Sequence, residues 1–116
     1  MRKGEMDDLV HVDDILAAID KINRFCHGYA KEAFLNNEML CDAVVRNLEI
    51  IGEASSRISK AFTEKHKEIE WRKIIGMRNR IIHAYDLVDY KIVWDVIEKD
   101  LPELEENLRR ITDMPA

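Results

Sequence analysis

The sequence predicts an all-α protein, an antiparallel (up-and-down) helical bundle of roughly four to five helices. Apolar residues recur every three to four positions along most of the chain, as on helices that bury one face. Glycines number only 4 and prolines 2 in 116 residues, too few turn formers for a protein of many strands. Hydrophobic residues make up 47% and charged residues 35% of the chain, a balance typical of amphipathic helices around a core.

A chain of this length is expected to form one domain, residues 1–116, whose core needs no disulfide. Cys26 and Cys41 have no CxxC spacing and are expected to be reduced core thiols of a cytoplasmic protein. The first residues lack the apolar segment of a secretory signal. No run of about 18 apolar residues predicts a transmembrane helix, so we expect no membrane partner.

The first helix is predicted over residues 7–26, and Gly28 is expected to end it. His11 and His27 stand on or near this helix without further residues at a metal-ligand spacing, so neither is expected to bind a metal. The buried face is predicted from apolar residues at helical spacing. These are Leu9, Val12, Ile15, Leu16, Ile19, Ile22 and Phe25.

Residues 29–35 are predicted to be a connector or a short helical turn. Asn36 or Asn37 can cap a long second helix that is predicted to run to about Lys65. Its apolar residues form two adjacent rows, which indicates contact with more than one neighbouring helix. Asn47 lies in one of these rows. It is either a hydrogen-bonded amide of the core or interface, or a residue that supports an active site.

The second half of the chain is predicted to hold three further helices after a charged connection at residues 63–70. The third runs near Trp71 to Ala84. Asp89 is expected to cap the fourth. Asp100 and Pro102 predict a restart, because a capping residue is followed by proline in the first turn.

A cationic segment, residues 71–85, stands out in a chain of net charge −5. An acidic protein is not expected to coat nucleic acid, but one local cationic segment can still meet RNA. Within the segment, Arg78, His83 and Tyr85 form the pattern Arg-x4-His-x-Tyr. Arginine holds a permanent charge that neutralises phosphate, and histidine moves protons near pH 7. The other basic residues of the segment are Arg72, Lys73 and Arg80.

On a continuous helix, Arg78 would lie in the middle of the apolar face, between residues such as Ile74 and Ile82. A buried guanidinium needs a carboxylate partner, a water-filled cleft or a phosphate ligand. His83 would point about 140° away from Arg78 on the same helix. The two converge only if the helix ends or bends near His83, or if a second copy contributes, and we favour a twofold dimer.

Each of these residues also has a purely structural interpretation. Arg78 can pair with Glu49 or Glu53 inside the bundle. His83 can cap a helix end, and Tyr85 can be an ordinary core aromatic. Glu53 is also a candidate to orient Arg78 for a functional role.

The cationic segment resembles the signature of HEPN ribonucleases, and specifically of HepT toxins from MntA–HepT toxin–antitoxin systems. A second stretch, Arg46 to Ala54 (RNLEIIGEA), resembles another signature of that family. The resemblance covers about residues 8–112. Both stretches in this order are far more specific than Arg-x4-His alone. The resemblance implies a HEPN-like fold and a homodimer in which Arg78 and His83 are catalytic.

The sequence contains no HExxH, no P-loop and no paired carboxylates at metal spacing. We therefore predict an endoribonuclease that uses no metal and no other cofactor, in which the RNA 2′-OH attacks its own phosphate. His83 would be the general base or acid, and Arg78 would stabilise the developing charge. The residues expected to support them are Asn79, Arg80, Asn47 and Glu53.

The resemblance also implies a partner. HepT-like toxins are controlled by MntA, a nucleotidyltransferase antitoxin that attaches AMP to the tyrosine of the signature, which by position is Tyr85. The expected partners are thus RNA, an MntA-like antitoxin and a second copy of the chain. The alternative is a non-catalytic helical dimer that binds a nucleotidyltransferase or a nucleotide and cuts nothing.

Overall fold

The computed structural model describes residues 3–83 and 87–113, which are mostly helical, so the all-α prediction is confirmed. A π-helical turn, Val96–Asp100, joins the last two helices. Two short strands, β1 Ile82–His83 and β2 Leu87–Val88, pair antiparallel. The helices are α1 Lys3–Cys26, α2 Lys31–Leu35, α3 Glu38–Ser56, α4 Lys60–Lys65, α5 Trp71–Ile75, α6 Met77–Ile81, α7 Tyr90–Asp95 and α8 Leu101–Asp113.

The two long helices α1 and α3 pack antiparallel at the centre of the molecule. Ser59, just beyond α3, donates to the buried carboxylate of Asp8 near the start of α1, from its backbone N–H at 2.8 Å and its hydroxyl at 2.7 Å. The Ser59 hydroxyl also accepts from the N–H of Phe62 and so caps α4. The prediction of one helix running to Lys65 is therefore wrong. The chain leaves α3 at Arg57, because Asp8 and Ser59 together satisfy the backbone groups of a new helix start.

The core lies between α1, α3 and the helices of the second half. Much of the predicted α1 face is buried, whereas Phe25 is 38% exposed. The rings of Phe34 and Trp94 meet with their centroids 5.1 Å apart, which joins α2 to α7. In the described ranges, no helix has both the length and the apolar character to cross a membrane. The largest fully buried side chains are Phe34, Ile15, Ile19, Ile22, Leu48, Ile51, Ile81, Leu101 and Leu108.

Three predicted helix ends are confirmed. Gly28 follows α1 with a φ of 82°, a left-handed conformation that glycine adopts without a Cβ penalty. The side chain of Asn37 accepts the N–H of Leu40 at 3.0 Å and caps α3. Asp89 caps α7 by accepting the N–H groups two and three residues further on. In each case the residue type suits that helix end: the asparagine and the aspartate accept backbone N–H groups, and the glycine adopts the left-handed conformation.

The predicted third helix, Trp71 to Ala84, is wrong in extent. It is interrupted at Gly76 and ends at Ile81, where the backbone becomes extended as β1. A Cβ at Gly76 would lie only 3.2 Å from the carbonyl oxygen of Arg72. The glycine therefore permits a tight turn between two short helices, and the residues after it take a different face from the one that a continuous helix would give them.

Gly52 lies where α5 crosses α3. A Cβ at this position would lie 3.6 Å from the carbonyl oxygen of Ile74 and 3.8 Å from that of Ile75. These are van der Waals distances, so alanine would fit and a longer side chain would push α5 away. The glycine in the middle of a helix thus has a packing role, the close approach of α5 to α3.

The predicted restart at Asp100 is also wrong. The backbone stays helical from α7 into α8, and the N–H of Leu101 bonds to the carbonyl of Val96, five residues back. Pro102 has no N–H, and the wider π-helical turn ahead of it accommodates the missing hydrogen bond without a break. Asp100 instead forms ion pairs with Arg80 and, at 3.4 Å, with Lys73.

A hydrogen bond between side chains ties α7 to α3. The Tyr90 hydroxyl donates to the Asp42 carboxylate at 2.6 Å. This bond, together with partial burial, raises the pKa of Tyr90 to about 12. The unfolded chain loses this proton near pH 10, so the folded form retains it more strongly. The stabilisation is therefore complete below about pH 10 and is lost as the pH rises toward 12.

We expect Tyr90→Phe to lower the free energy of unfolding by about 1 kcal/mol at pH 8, because one partly exposed hydrogen bond is lost. Thermal unfolding should then be followed from about pH 9 to pH 12. The wild-type midpoint should fall more steeply than that of Tyr90→Phe, and the two should approach each other at the alkaline end. Parallel curves over the whole range would show that the bond contributes no pH-dependent stability.

Candidate active site

A cleft with a volume of about 770 Å³ lies over α3, between α1 on one side and α5 and α6 on the other. Its size falls in the range of small-molecule sites, about 300–1,000 Å³. Both stretches singled out in the sequence contribute to it, the first from α3 and the second through Arg78. The polar residues central to its chemistry are Lys21, Arg46, Asn47, Glu49, Glu53 and Arg78.

Arg78 is exposed and lines this cleft, so its predicted position inside the apolar face is wrong. The turn at Gly76 is the reason, since it places Met77 and Ile81 in the core and leaves Arg78 outside. The alternative interpretation, a pair with Glu49 or Glu53 of α3, is not found among the described residues, where no carboxylate lies within ion-pair distance of Arg78. Glu53 pairs with Arg57 instead, at 3.0 Å. Arg78 therefore presents to an open cleft a charge that no described carboxylate pairs with, and a cleft is one of the three environments that the sequence allowed.

Asn47 is buried beneath the cleft. Its Nδ2 donates to the Ala43 carbonyl one turn back, at 2.9 Å. Its Oδ1 is buried and has no hydrogen-bond partner among the described residues. A buried acceptor without a partner is costly, and such groups in folded proteins call for an explanation. The first alternative, a hydrogen-bonded amide of the core, thus holds for one side of Asn47, and its support of an active site stays a prediction.

The structure does not bring the whole predicted set together. Arg80 forms an ion pair with Asp100 of the π-helical turn and does not line the cleft. Asn79 is exposed and is also not among the residues that line it. Arg78, Asn47 and Glu53 do line it, although Glu53 is turned toward Arg57.

His83 and Tyr85 follow the end of α6. The backbone of His83 belongs to β1 and pairs with Leu87, so the helix does end close to His83, which is one of the conditions for convergence with Arg78. The side chain of His83 lies outside the described part of the structure, and so does the whole of Tyr85. Their assignments therefore stay predictions.

Sequence reasoning missed the contribution of α1 to the cleft. His11, Asp14 and Lys21 line it, although each appears in the sequence as part of a solvated helix face. Only the antiparallel packing of α1 on α3 makes them cleft residues. The sequence did offer one signal for the cleft. Arg46 on α3 and Arg57 at its end are spaced so that they share one helix face, and both line the cleft. Within the described ranges, no group of three or more potential ligands is arranged as a metal site.

A family model described as "Ribonuclease HepT-like" matches residues 15–111. The chain belongs to the ribonuclease HepT-like family. The family resemblance drawn from the two sequence stretches is therefore confirmed. The matched range includes every lysine and arginine that lines the cleft, which are Lys21, Arg46, Arg57 and Arg78.

Several relatives in the HepT-like family match over most of their length. A protein of Caldanaerobacter subterraneus, provisionally named as an RNase, is 40% identical over 87% of this chain and 90% of its own. A Thermococcus cleftensis protein, provisionally named ribonuclease HepT, is 39% identical over 96% of this chain and 98% of its own. A Methanocaldococcus jannaschii protein, also provisionally named as an RNase, is 37% identical over 82% and 87%. No solved structure matches the chain at a significant level.

Proposed function

We propose that this protein is an endoribonuclease, the toxin of a toxin–antitoxin pair, and that it cleaves RNA at the cleft beside Arg78. One observation carries this assignment. In a member of the HepT-like ribonuclease family, the arginine of Arg-x4-His-x-Tyr is exposed in a cleft and has no carboxylate partner among the described residues. A permanent cation left unpaired in a cleft suits a phosphate ligand, because it supplies charge without accepting a proton.

Cleavage begins with attack of the RNA 2′-OH on the adjacent phosphorus. His83 takes the proton from this hydroxyl as general base. Arg78 stabilises the negative charge that builds on the non-bridging oxygens. The bond to the 5′-oxygen then breaks, and an acid, His83 of a second copy, protonates the leaving oxygen. The products are a 2′,3′-cyclic phosphate and a 5′-hydroxyl, and DNA is not cut because it lacks the attacking hydroxyl.

The proposed active unit is a homodimer in which two copies of the segment around Arg78 and His83 line one shared site. Two apolar side chains of the cleft lining stay accessible: Ile75 is 44% exposed, and Ile50 on α3 is half-buried. Apolar side chains at the rim of a charged cleft favour contact with another protein surface over contact with water. A twofold axis would bring the same surface of both copies together.

Asn47 is proposed to position the reacting groups. Its free Oδ1 can accept from the Arg78 guanidinium or from a hydroxyl of the RNA, either of which would satisfy the buried acceptor. Glu53 is proposed to reduce the positive charge of the same cleft, because its carboxylate pairs with Arg57. Arg80 would have to leave Asp100 to reach RNA, so we expect its contribution, like that of Asn79, to be smaller than that of Arg78.

The proposed chemistry is tested by cleavage of single-stranded RNA in excess EDTA. We expect the rate to stay within about twofold of the rate with Mg²⁺, because proton transfer by histidine and charge stabilisation by arginine need no metal. The new ends should be a cyclic phosphate and a 5′-hydroxyl, and DNA of the same sequence should remain intact. Activity that disappears with EDTA and returns with Mg²⁺ would refute the mechanism. Absence of cleavage under both conditions would favour a non-catalytic dimer.

Regulation is proposed to act on Tyr85. An MntA-like nucleotidyltransferase would transfer AMP from ATP to the tyrosine hydroxyl and release pyrophosphate. Tyr85 lies two residues after His83 in the sequence, so the added phosphate and base would occupy the approach to the catalytic histidine. Family membership supports the proposal.

A further inference from the structure

Three cations from three different helices line the cleft. They are Lys21 on α1, Arg46 on α3 and Arg78 on α6. All three side chains are exposed. Arg78 has a role in the proposed mechanism. Lys21 and Arg46 have none, although Arg46 begins the stretch Arg46 to Ala54 that resembles a family signature.

The packing of α1 on α3 places Lys21 opposite Arg46. The two helices are antiparallel, and Asp8 on α1 meets Ser59 just beyond α3. Lys21 follows Asp8 by as many residues as Arg46 precedes Ser59. The rise is about 1.5 Å per residue on both helices, and only the short turn from Arg57 to Ser59 is not helical, so the two cations lie at about the same level of the cleft.

The packing of α5 and α6 brings Arg78 toward the end of the cleft that holds Lys21 and Arg46. Going forward along the chain, Trp71 contacts Phe62 beyond the end of α3, and the carbonyls of Ile74 and Ile75 then approach Gly52. Further on, Tyr90 binds Asp42 near the start of α3. The chain between these contacts therefore runs from the end of α3 toward its start, and Arg78 lies past Gly52 on the side of Arg46.

Among the described residues, the cations at this end of the cleft form no ion pairs. Within residues 3–83 and 87–113, Lys21, Arg46 and Arg78 make no ion pair with a carboxylate. Two neighbouring cations do form ion pairs, since Arg57 at the far end of the cleft pairs with Glu53, and Arg24 on α1 pairs with Asp20. The carboxylates that line the cleft are Asp14, Glu49 and Glu53, and the cations are Lys21, Arg46, Arg57 and Arg78, so the described lining keeps a net positive charge. Three unpaired cations suit a ligand that carries several negative charges, such as successive phosphates of a nucleic-acid strand.

We propose that Lys21 and Arg46 form a phosphate-binding subsite beside Arg78, which holds a phosphate of single-stranded RNA next to the one that is cleaved. The inference rests on the proposed ribonuclease function and extends it to the substrate: RNA that continues beyond the scissile dinucleotide should be preferred. Arg78 serves the reacting phosphate, and the pair from α1 and α3 serves its neighbour.

The test measures binding of a single-stranded oligoribonucleotide by Lys21→Ala and Arg46→Ala in a His83→Ala background, so that the RNA stays intact. Each substitution should weaken binding about tenfold at low salt. It should also make the negative slope of log K, the binding constant, against log salt shallower by about 0.7, the value for one lost phosphate contact on a single strand. Arg110→Ala is the matched control, because Arg110 is an exposed cation on α8 that pairs with Glu106 at 2.6 Å. Its slope should equal that of the parent. Unchanged slopes for Lys21→Ala and Arg46→Ala would overturn the proposal.

A second measurement separates a phosphate subsite from other roles. With His83 restored, kcat/KM on an oligoribonucleotide should fall about tenfold in each variant, and the fall should be smaller on a dinucleoside monophosphate, which has no neighbouring phosphate. Equal losses on both substrates would overturn the proposal, as would a change of molecular mass, which would assign the cations to contacts between copies. If the wild-type protein binds RNA with a salt-dependent slope but cuts none, the ribonuclease function fails while the subsite is retained.

Discussion

Replacing His83 by alanine should lower the rate of RNA cleavage by a factor of about 10²–10⁴, the usual contribution of a positioned general acid or base. Arg78→Ala should lower it by about 10²–10³, because one charge-stabilising group is lost at the phosphate. The measurement is the initial rate of formation of cyclic phosphate ends. His27→Ala is the control, since His27 is exposed and does not line the cleft, and its rate should match the wild type.

The same variants test whether the site is shared. Wild-type protein is mixed with an equal amount of His83→Ala protein, and the subunits are allowed to exchange. If each site needs histidines from both copies, only dimers with two wild-type copies are active. Activity should then fall to about one quarter of that of the same total protein, against about one half for independent copies. A relative activity near one half, or a strict monomer in analytical ultracentrifugation, would refute the proposal of a shared site.

Replacing Tyr85 by phenylalanine should abolish control by a nucleotidyltransferase antitoxin and leave the nuclease largely active. Phenylalanine keeps the ring and removes only the hydroxyl that accepts AMP. A phenol with an ordinary pKa near 10 is a poor proton shuttle at neutral pH, so catalysis should not depend on it. The measurement is the intact mass after incubation with the partner and ATP. Wild type and His83→Ala should gain AMP, and Tyr85→Phe should gain none.

Tyr29 provides a matched control for this experiment. It is an exposed tyrosine whose hydroxyl accepts from the Asn37 side chain at 3.3 Å, away from the cleft. Tyr29→Phe should be modified and inhibited like the wild type. If Tyr85→Phe gains as much AMP as the wild type, the acceptor is another residue. If it gains none but loses cleavage, Tyr85 takes part in catalysis.

The sequence by itself determined the fold class, several helix ends and the family. Gly28, Asn37 and Asp89 act on their own backbone neighbours, and such local effects can be recognised without tertiary structure. The family was recognised because Arg46 to Ala54 and the cationic segment keep characteristic residues in a fixed order. The chemistry that the motif suggested for Arg78 and His83 stays a prediction.

The tertiary structure alone decided where these residues lie. Asp8 interrupts the predicted long helix from about fifty residues away, a contact that no local pattern reveals. The turn at Gly76 moves Arg78 out of the apolar face, because a helical wheel holds only while the helix is continuous. The cleft with Lys21 on one wall exists because α1 packs antiparallel on α3. Helical periodicity predicts which face of a helix is buried, but the partner of that face depends on contacts between residues far apart in the chain.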